Sequence, residues 1–249
     1  MKFTILLIPL LMTIPFVVCS QENFLAQQRK YARVRTAFAE KNEIIVDRLK
    51  QNGLTSDSVH ILIVAFKAEK QLELYAKKKT ESTCKKIAVY DICSSSGELG
   101  PKRQKGDRQV PEGFYHIDRF NPFSNFYLSL GINYPNPSDR KKSRAQRLGG
   151  DIFIHGDCVT IGCLPMTDDK IREIYLYAVY ARNNGQTNIP VYIFPFRMTE
   201  DNFEAYKQKY RQNQELIAFW TNLKTGFDKF ETKKEALQVS VNKDGDYDF

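Results

Sequence analysis

One stretch of the chain, Asp151 to Asp169 (DIFIHGDCVTIGCLPMTDD), gathers one of three histidines, His155, and two of five cysteines, Cys158 and Cys163. A thiol is a strong nucleophile as its thiolate. A nearby imidazole supplies that state by taking the proton or, as imidazolium, by lowering the thiol pKa. The chemistry on offer is nucleophilic attack by a cysteine. His155 and Cys163 are eight positions apart, so the loop between them must double back. Gly156 and Gly162 give it that freedom. Gly162 also keeps main-chain N–H groups beside Cys163 open to a developing oxyanion. Spacing alone leaves a second reading open, in which Cys158 and Cys163 form a structural disulfide or are inert buried thiols, and His155 is a hydrogen-bonded strand-end residue.

The elements around this stretch must position it. The apolar run Ile152–Ile154 reads as a buried strand that delivers His155. Thr167 and Asp168 read as the cap of a helix over Asp168–Asn183, whose stripe is Ile171, Ile174, Tyr175, Ala178 and Val179 and whose stop is Gly185. The positive end of its dipole faces the cysteine loop. Upstream, HILIVAF (His60–Phe66), QLELYAK and KIAVYDI read as three consecutive strands, the first two joined at Lys67–Lys70. Gly113–Asp118 and Phe126–Ile132 read as two more, separated by a turn at Asn121–Ser124, and Asn188–Arg197 as another. Ser94–Pro111 reads as a polar, substrate-facing flap. Glu22–Gln51 reads as one helix with Phe24, Tyr31, Phe38, Ile45 and Leu49 on a face, serving as lid or brace. Phe203–Leu223 is a second amphipathic helix carrying Trp220. LQVSV follows as a possible edge strand, and the last residues, KDGDYDF, read as a frayed tail.

The first twenty residues differ in kind. Met1-Lys2 followed by ILLIPLLMTIPFVV has the pattern of a signal peptide cleaved after Ser20, with lipidation at Cys19 as the second choice. No other run has the length of a transmembrane helix. The expected location is outside the cytoplasm, in the periplasm or cell envelope. Loss of Lys2 takes one from a formal charge of +8. The basic balance suits an acidic partner, and the basic residues do not interleave with aromatics as in nucleic-acid modules, so no nucleic-acid partner is expected. The run Asp139–Arg147 (DRKKSRAQR) is an exposed basic face able to meet wall carboxylates. With Cys163 free, Cys84–Cys93 is the expected disulfide. Cys158 is then left over, either buried and inert, which is the preferred reading, or reversibly bonded to Cys163. No metal or cofactor is expected, because the histidines and acids lack zinc-ligand spacing.

Several ordered motifs between Val59 and Arg197 resemble the YkuD-type L,D-transpeptidases, particularly the YafK-like branch. They are His155-Gly156, Thr160-Ile161-Gly162-Cys163 and Met166-Thr167-Asp168, preceded by GELGPKRQKGDRQVPEGFYHI and SNFYLSLGINYPNPSD. The chain departs from the wider family in its shorter His-to-Cys interval, in Ile161 where a second histidine is usual, and in Leu164-Pro165 after the cysteine. The resemblance implies an α+β fold with a β-rich, sandwich-type core. The expected divisions are an N-terminal helical segment at 21–57, a catalytic domain at 58–197 and a C-terminal helical extension at 198–249.

The resemblance also implies a reaction on peptidoglycan stem peptides. Cys163 attacks the amide carbonyl on the L-centre of a diamino acid at the third stem position, expels the fourth residue and becomes a thioester. His155 is the base, N–H groups near Gly162 and Cys163 hold the oxyanion, and Thr160 orients His155 or the loop. Gly156, Lys102, His116 and Tyr134 are the substrate-side candidates, with Asp107 positioning the flap beside Lys102. An amine acceptor gives a cross-link. Water gives a hydrolase that cuts an L,D bond or releases a wall-attached protein. A reading of another class is a non-catalytic wall-binding protein with a Cys158–Cys163 bridge. The oligomeric state stays open.

Overall fold

A computed structural model describes residues 23–249; the expected signal segment and Cys19 lie outside them. Strands β1 (Val59–Phe66), β2 (Gln71–Lys78) and β3 (Lys85–Asp91) form an antiparallel meander, with Lys70 at positive φ in the first turn. β8 (Pro190–Phe194) adds to the free edge of β1 in parallel, and β4 (Gly113–Asn121) adds antiparallel to β8. The sheet continues through β5 (Ser129–Ile132), β6 (Phe153–His155) and β7 (Leu164–Pro165), giving the order β3-β2-β1-β8-β4-β5-β6-β7.

The period of two in the strands divides the interior. Ile61, Ile63, Ala65, Val191 and Ile193 enter one apolar cluster, and Leu62, Val64, Phe66, Tyr192 and Phe194 enter another on the opposite face. Helices α1 (Phe24–Arg29), α2 (Ala32–Gln51) and α4 (Asp168–Asn183) contribute to the first. Helices α5 (Glu200–Lys209) and α6 (Gln214–Lys233) contribute to the second. A sheet covered on both faces explains why β1 is buried along nearly its whole length. The fold is α+β, a curled β-rich core with helical additions at both ends.

Three expectations are corrected here. The single N-terminal helix divides at Lys30–Tyr31, and it braces α4 through Gln28 to the Tyr175 hydroxyl (2.7 Å), Arg48 to Glu173 (2.7 Å) and Lys41 to Asp169 (2.5 Å). The C-terminal tail is docked rather than frayed. β9 (Ser240–Val241) pairs with β10 (Tyr247–Asp248), and the buried Tyr247 hydroxyl accepts from Asn136 Nδ2 at 2.9 Å. The Asn136 side chain also caps α3 (Pro137–Lys142). The third correction concerns the disulfide. Cys93 is bonded to Cys158 with a Cα–Cα distance of 5.6 Å, while Cys84 is free and buried beneath α6. β3 runs between Cys84 and Cys93 and by itself spans about 20 Å, a separation no disulfide bridges.

Candidate functional site

β6 ends at His155, and the chain turns at once. A Cβ on Gly156 would lie 2.6 Å from Asp168 Oδ1 and 2.8 Å from the Phe126 carbonyl, so only glycine fits. Asp157, at positive φ, donates its N–H to Asp168 Oδ1 at 2.9 Å, tying the loop to the first turn of α4. Cys158 is anchored by its bond to Cys93. Thr160 then closes the loop: its Oγ1 accepts the N–H of Gly162 (3.2 Å) and of Cys163 (2.8 Å) and donates to the Cys163 carbonyl (2.9 Å). Gly162 sits at φ +134°, with the Gln109 carbonyl 2.9 Å from where a Cβ would stand. The chain returns as β7, parallel to β6, with His155 opposite Pro165. The Met166 N–H fixes this register on the His155 carbonyl at 2.7 Å.

Carried back two residues, that register sets Cys163 beside Phe153. The imidazole is therefore two steps along the neighbouring strand, about 8 Å away between Cα atoms. Cys163 Sγ lies 3.7 Å from the Asp151 carbonyl. Burial pushes its pKa up, and the Phe153 N–H and the charge of Lys102 act in the opposite sense. His155 is 1% exposed, with Nδ1 on the Gly156 carbonyl at 2.5 Å. A carbonyl only accepts, so Nδ1 carries the hydrogen and the neutral ring keeps its lone pair on Nε2. Burial lowers the His155 pKa against smaller opposing effects of the Gly156 carbonyl and Asp157. Both shifts favour the uncharged forms of the thiol and the imidazole.

The thiol opens into a cavity of about 220 Å³ whose wall includes Ile92, Ser94–Leu99, Val110 and Leu164, but not His155. The Ser94–Pro111 flap is tied down. Lys67 Nζ donates to the carbonyls of Gly100 (2.8 Å) and Val110 (2.9 Å) and to Glu112 (2.8 Å). Lys102 lies behind the thiol, buried, with Nζ on Asp107 at 2.5 Å. Burial works to raise the Asp107 pKa, but hydrogen bonds from Lys102 and from the Gln104, Arg103 and Gln109 amides hold it below the usual carboxylate value. The Tyr134 hydroxyl donates toward the carbonyls of Leu148 (3.3 Å) and Lys102 (3.4 Å), supporting the same backbone.

Of the residues singled out from sequence, His155, Gly156, Thr160, Gly162 and Cys163 share one loop, with Lys102 and Tyr134 in the layer behind it. His116 is elsewhere: it lines two cavities beside Asn188 that include neither Cys163 nor His155. The hydroxyl of Thr160 serves the loop backbone rather than His155, and it occupies the two amides expected to hold an oxyanion. One neighbour of the imidazole and the residue that holds its loop escaped the sequence reading. The Phe126 ring lies on His155 with centroids 4.6 Å apart. Arg33 of α2 holds that loop by donating to the carbonyls of Ser124 (2.5 Å) and Tyr127 (2.6 Å). No sequence signal marks Arg33, because its partners are main-chain carbonyls more than ninety residues away. Among the described residues no three His, Cys, Asp or Glu side chains gather as metal ligands do.

Residues 60–193 match the YkuD family, described as the L,D-transpeptidase catalytic domain. The chain belongs to that family. It is also 39% identical over 183 residues, covering 73% of this chain and 70% of the relative, to "Putative L,D-transpeptidase YafK" of Escherichia coli K12, and equally to its namesake in Escherichia coli O157:H7. Among solved structures, the helical cell shape determining protein Pgp2 from Campylobacter jejuni is similar at 16% identity and a TM-score of 0.45, over 78% of this chain and 79% of that one. Mycobacterium tuberculosis L,D-transpeptidase 1 aligns at 14% identity and a TM-score of 0.31, over 54% of this chain and 62% of that one. The YkuD match ends within β8, so α5, α6 and the C-terminal hairpin lie beyond it. Among the described residues, no helix of this YkuD-family chain is long and apolar enough to cross a membrane.

Proposed function

We propose that this L,D-transpeptidase-family chain is an exported cysteine acyltransferase acting on peptidoglycan stem peptides. As Cys163 Sγ attacks the amide carbonyl carbon on the L-centre of the third stem residue, the thiol proton passes to His155 Nε2. The C–S bond forms and the carbonyl electrons move onto oxygen. Collapse breaks the C–N bond, and His155 returns the proton to the leaving amine of the fourth residue. The thioester is then attacked by an acceptor amine, which loses a proton to His155 as the C–S bond breaks, giving a cross-link. Water in place of the amine gives the trimmed peptide. The Gly162 and Cys163 amides serve the oxyanion when it displaces the Thr160 hydroxyl, a charge-for-dipole exchange that strengthens both hydrogen bonds.

The observation that carries this reading is the hydrogen bond from His155 Nδ1 to the Gly156 carbonyl. It leaves a basic Nε2 on the strand next to a free cysteine. The catalytic unit is 58–197, with 21–57 as a brace and 198–249 as an extension, and Gly156, Lys102 and Tyr134 shape the substrate side. Export to the cell envelope is supported by the disulfide, which an oxidising compartment maintains. The bond of Cys158 to Cys93 rather than to Cys163 supports the catalytic reading over the non-catalytic one.

Intact-mass spectrometry after exposure to a carbapenem and, separately, to muropeptides tests the proposal. The expected result is an adduct lost in Cys163→Ala, and a product whose formation needs both Cys163 and His155, its mass identifying amine or water as acceptor. A folded wild-type chain that forms no adduct and leaves muropeptides unchanged refutes it.

A further inference from the structure

The C-terminal extension closes a second cavity, of about 520 Å³, on the other side of the Gly97–Glu112 loop from the thiol. Leu99 lines both cavities. The second is also lined by Gln109, whose carbonyl faces Gly162 of the nucleophile loop. The two cavities therefore meet at one wall, the loop that carries Leu99 and Gln109. Four cations border it, Arg103, Lys141, Lys142 and Arg144, against two carboxylates, Glu215 and Asp244.

The cations differ in how far the protein has neutralised them. Lys142 pairs with Asp246 at 2.6 Å. Lys141 donates to the neutral carbonyl of Asn242, also at 2.6 Å, and has no carboxylate partner among the described residues. The Arg144 side chain is 89% exposed and meets Glu215 only at 3.5 Å, a contact that water screens. Arg103 is held in place. Its guanidinium lies over the Phe219 ring at 4.9 Å, and Nη1 reaches the buried Asp139 at 3.1 Å and the Lys102 carbonyl at 3.5 Å. Nε and Nη2 have no hydrogen-bond acceptor among the described residues. A guanidinium fixed on one edge and one face offers its remaining donors as a preformed fork for a planar oxyanion.

We propose that this groove is a carboxylate subsite, in which Arg103 binds a free carboxylate of the peptide whose reacting amide lies at Cys163, with Lys141 and Arg144 adding attraction. The proposal rests on the acyl-transfer reading for the identity of the ligand, a stem peptide. It makes the C-terminal extension part of substrate selection, since Phe219 of α6 holds the fork.

The test compares a soluble muropeptide bearing free stem carboxylates with the same peptide amidated, by direct binding to the full chain carrying Cys163→Ala so that nothing turns over. The acid form is expected to bind at least about tenfold more tightly, a preference that shrinks as salt is added. Arg103→Lys, which keeps charge but loses the fork, should remove most of the preference. Lys141→Ala/Arg144→Ala, two changes at exposed side chains checked by thermal melting, should reduce it at least about threefold and decide the matter if Arg103→Lys unfolds. Equal affinity for the two peptides, a preference untouched by the surface double variant, or no binding of either peptide overturns the subsite. Carbapenem acylation of unsubstituted Cys163 is read separately: its failure removes the acyltransfer reading while a measured carboxylate preference still stands.

Discussion

Cys158 is bonded to Cys93, across a sequence separation of 65, and not to Cys163 in its own loop. The bond joins the nucleophile loop to the chain entering the flap, because Ile92 and Ser94 on either side of Cys93 line the thiol cavity. It therefore fixes two walls of the same cavity relative to each other while leaving Cys163 as a free thiol.

Replacing both bonded cysteines, Cys93→Ser with Cys158→Ser, is expected to cost about 2–4 kcal/mol of stability, read by chemical denaturation. Acylation of Cys163 should also slow, because the loop loses its covalent anchor. Peptide mapping of the unreduced native chain should show one crosslink, Cys93 to Cys158, with Cys84 protected from alkylation until unfolding. A Cys84–Cys93 crosslink would contradict the structure.

Phe126→Ala exposes the His155 ring that Phe126 covers. Burial holds the imidazole pKa below its ordinary value, so exposure raises it. The proposed base role of His155 requires a neutral ring, so activity is expected to fall as pH drops through its pKa. The acidic limb of the rate–pH profile should consequently move to higher pH in Phe126→Ala. Arg33→Ala, which frees the same loop, should shift it in the same direction and lower the acylation rate. A lower rate with an unmoved limb would leave Phe126 a purely structural role.

Gly162→Ala places a side chain at φ +134°, with the Gln109 carbonyl 2.9 Å from its Cβ. The backbone conformation is strained for any L side chain and the contact pushes on the flap, so the loop must open. Carbapenem acylation should fall by at least about a hundredfold, with a stability loss on the order of 1–3 kcal/mol by thermal melting. Near-normal acylation would show that the turn tolerates displacement.

Thr160→Val removes the acceptor of two main-chain N–H groups. The loop should lose order and about 1–3 kcal/mol of stability, while Thr160→Ser retains the oxygen and should stay within about 0.5 kcal/mol. Hydrogen exchange at the Gly162 and Cys163 amides reports the difference directly. Equal protection in both variants would rule out the hydroxyl as the closure of the loop.

The buried ion pair of Lys67 and Glu112, at 2.8 Å, anchors the flap and also receives the Trp220 indole N–H on Glu112 at 2.8 Å. Glu112→Ala strands a buried ammonium and is expected to cost about 3–5 kcal/mol. Trp220 is the single tryptophan, so its fluorescence should respond in the folded state. An unchanged emission maximum and melting temperature would refute the anchor.

Much of the scaffold was legible in local pattern. The apolar runs of β1 and β8, the Thr167 cap of α4 and the short strand before His155 all follow from side-chain periodicity and capping, which act within a few residues. The turn before Cys163 was legible for the same reason, since Thr160 contacts Gly162 and Cys163 two and three residues on. Pairings between distant segments were not. Cys93 finds Cys158, Arg33 finds the Ser124 and Tyr127 carbonyls, and Tyr247 finds Asn136 only after the sheet order β3-β2-β1-β8-β4-β5-β6-β7 has set which strand ends lie together. The sequence by itself determined the family and singled out His155, Gly162 and Cys163 as the candidates for the proposed chemistry. The tertiary structure alone decided which two cysteines are bonded, which ring covers the imidazole and where the C-terminal helix meets Arg103, because those contacts depend on a topology that no local periodicity encodes.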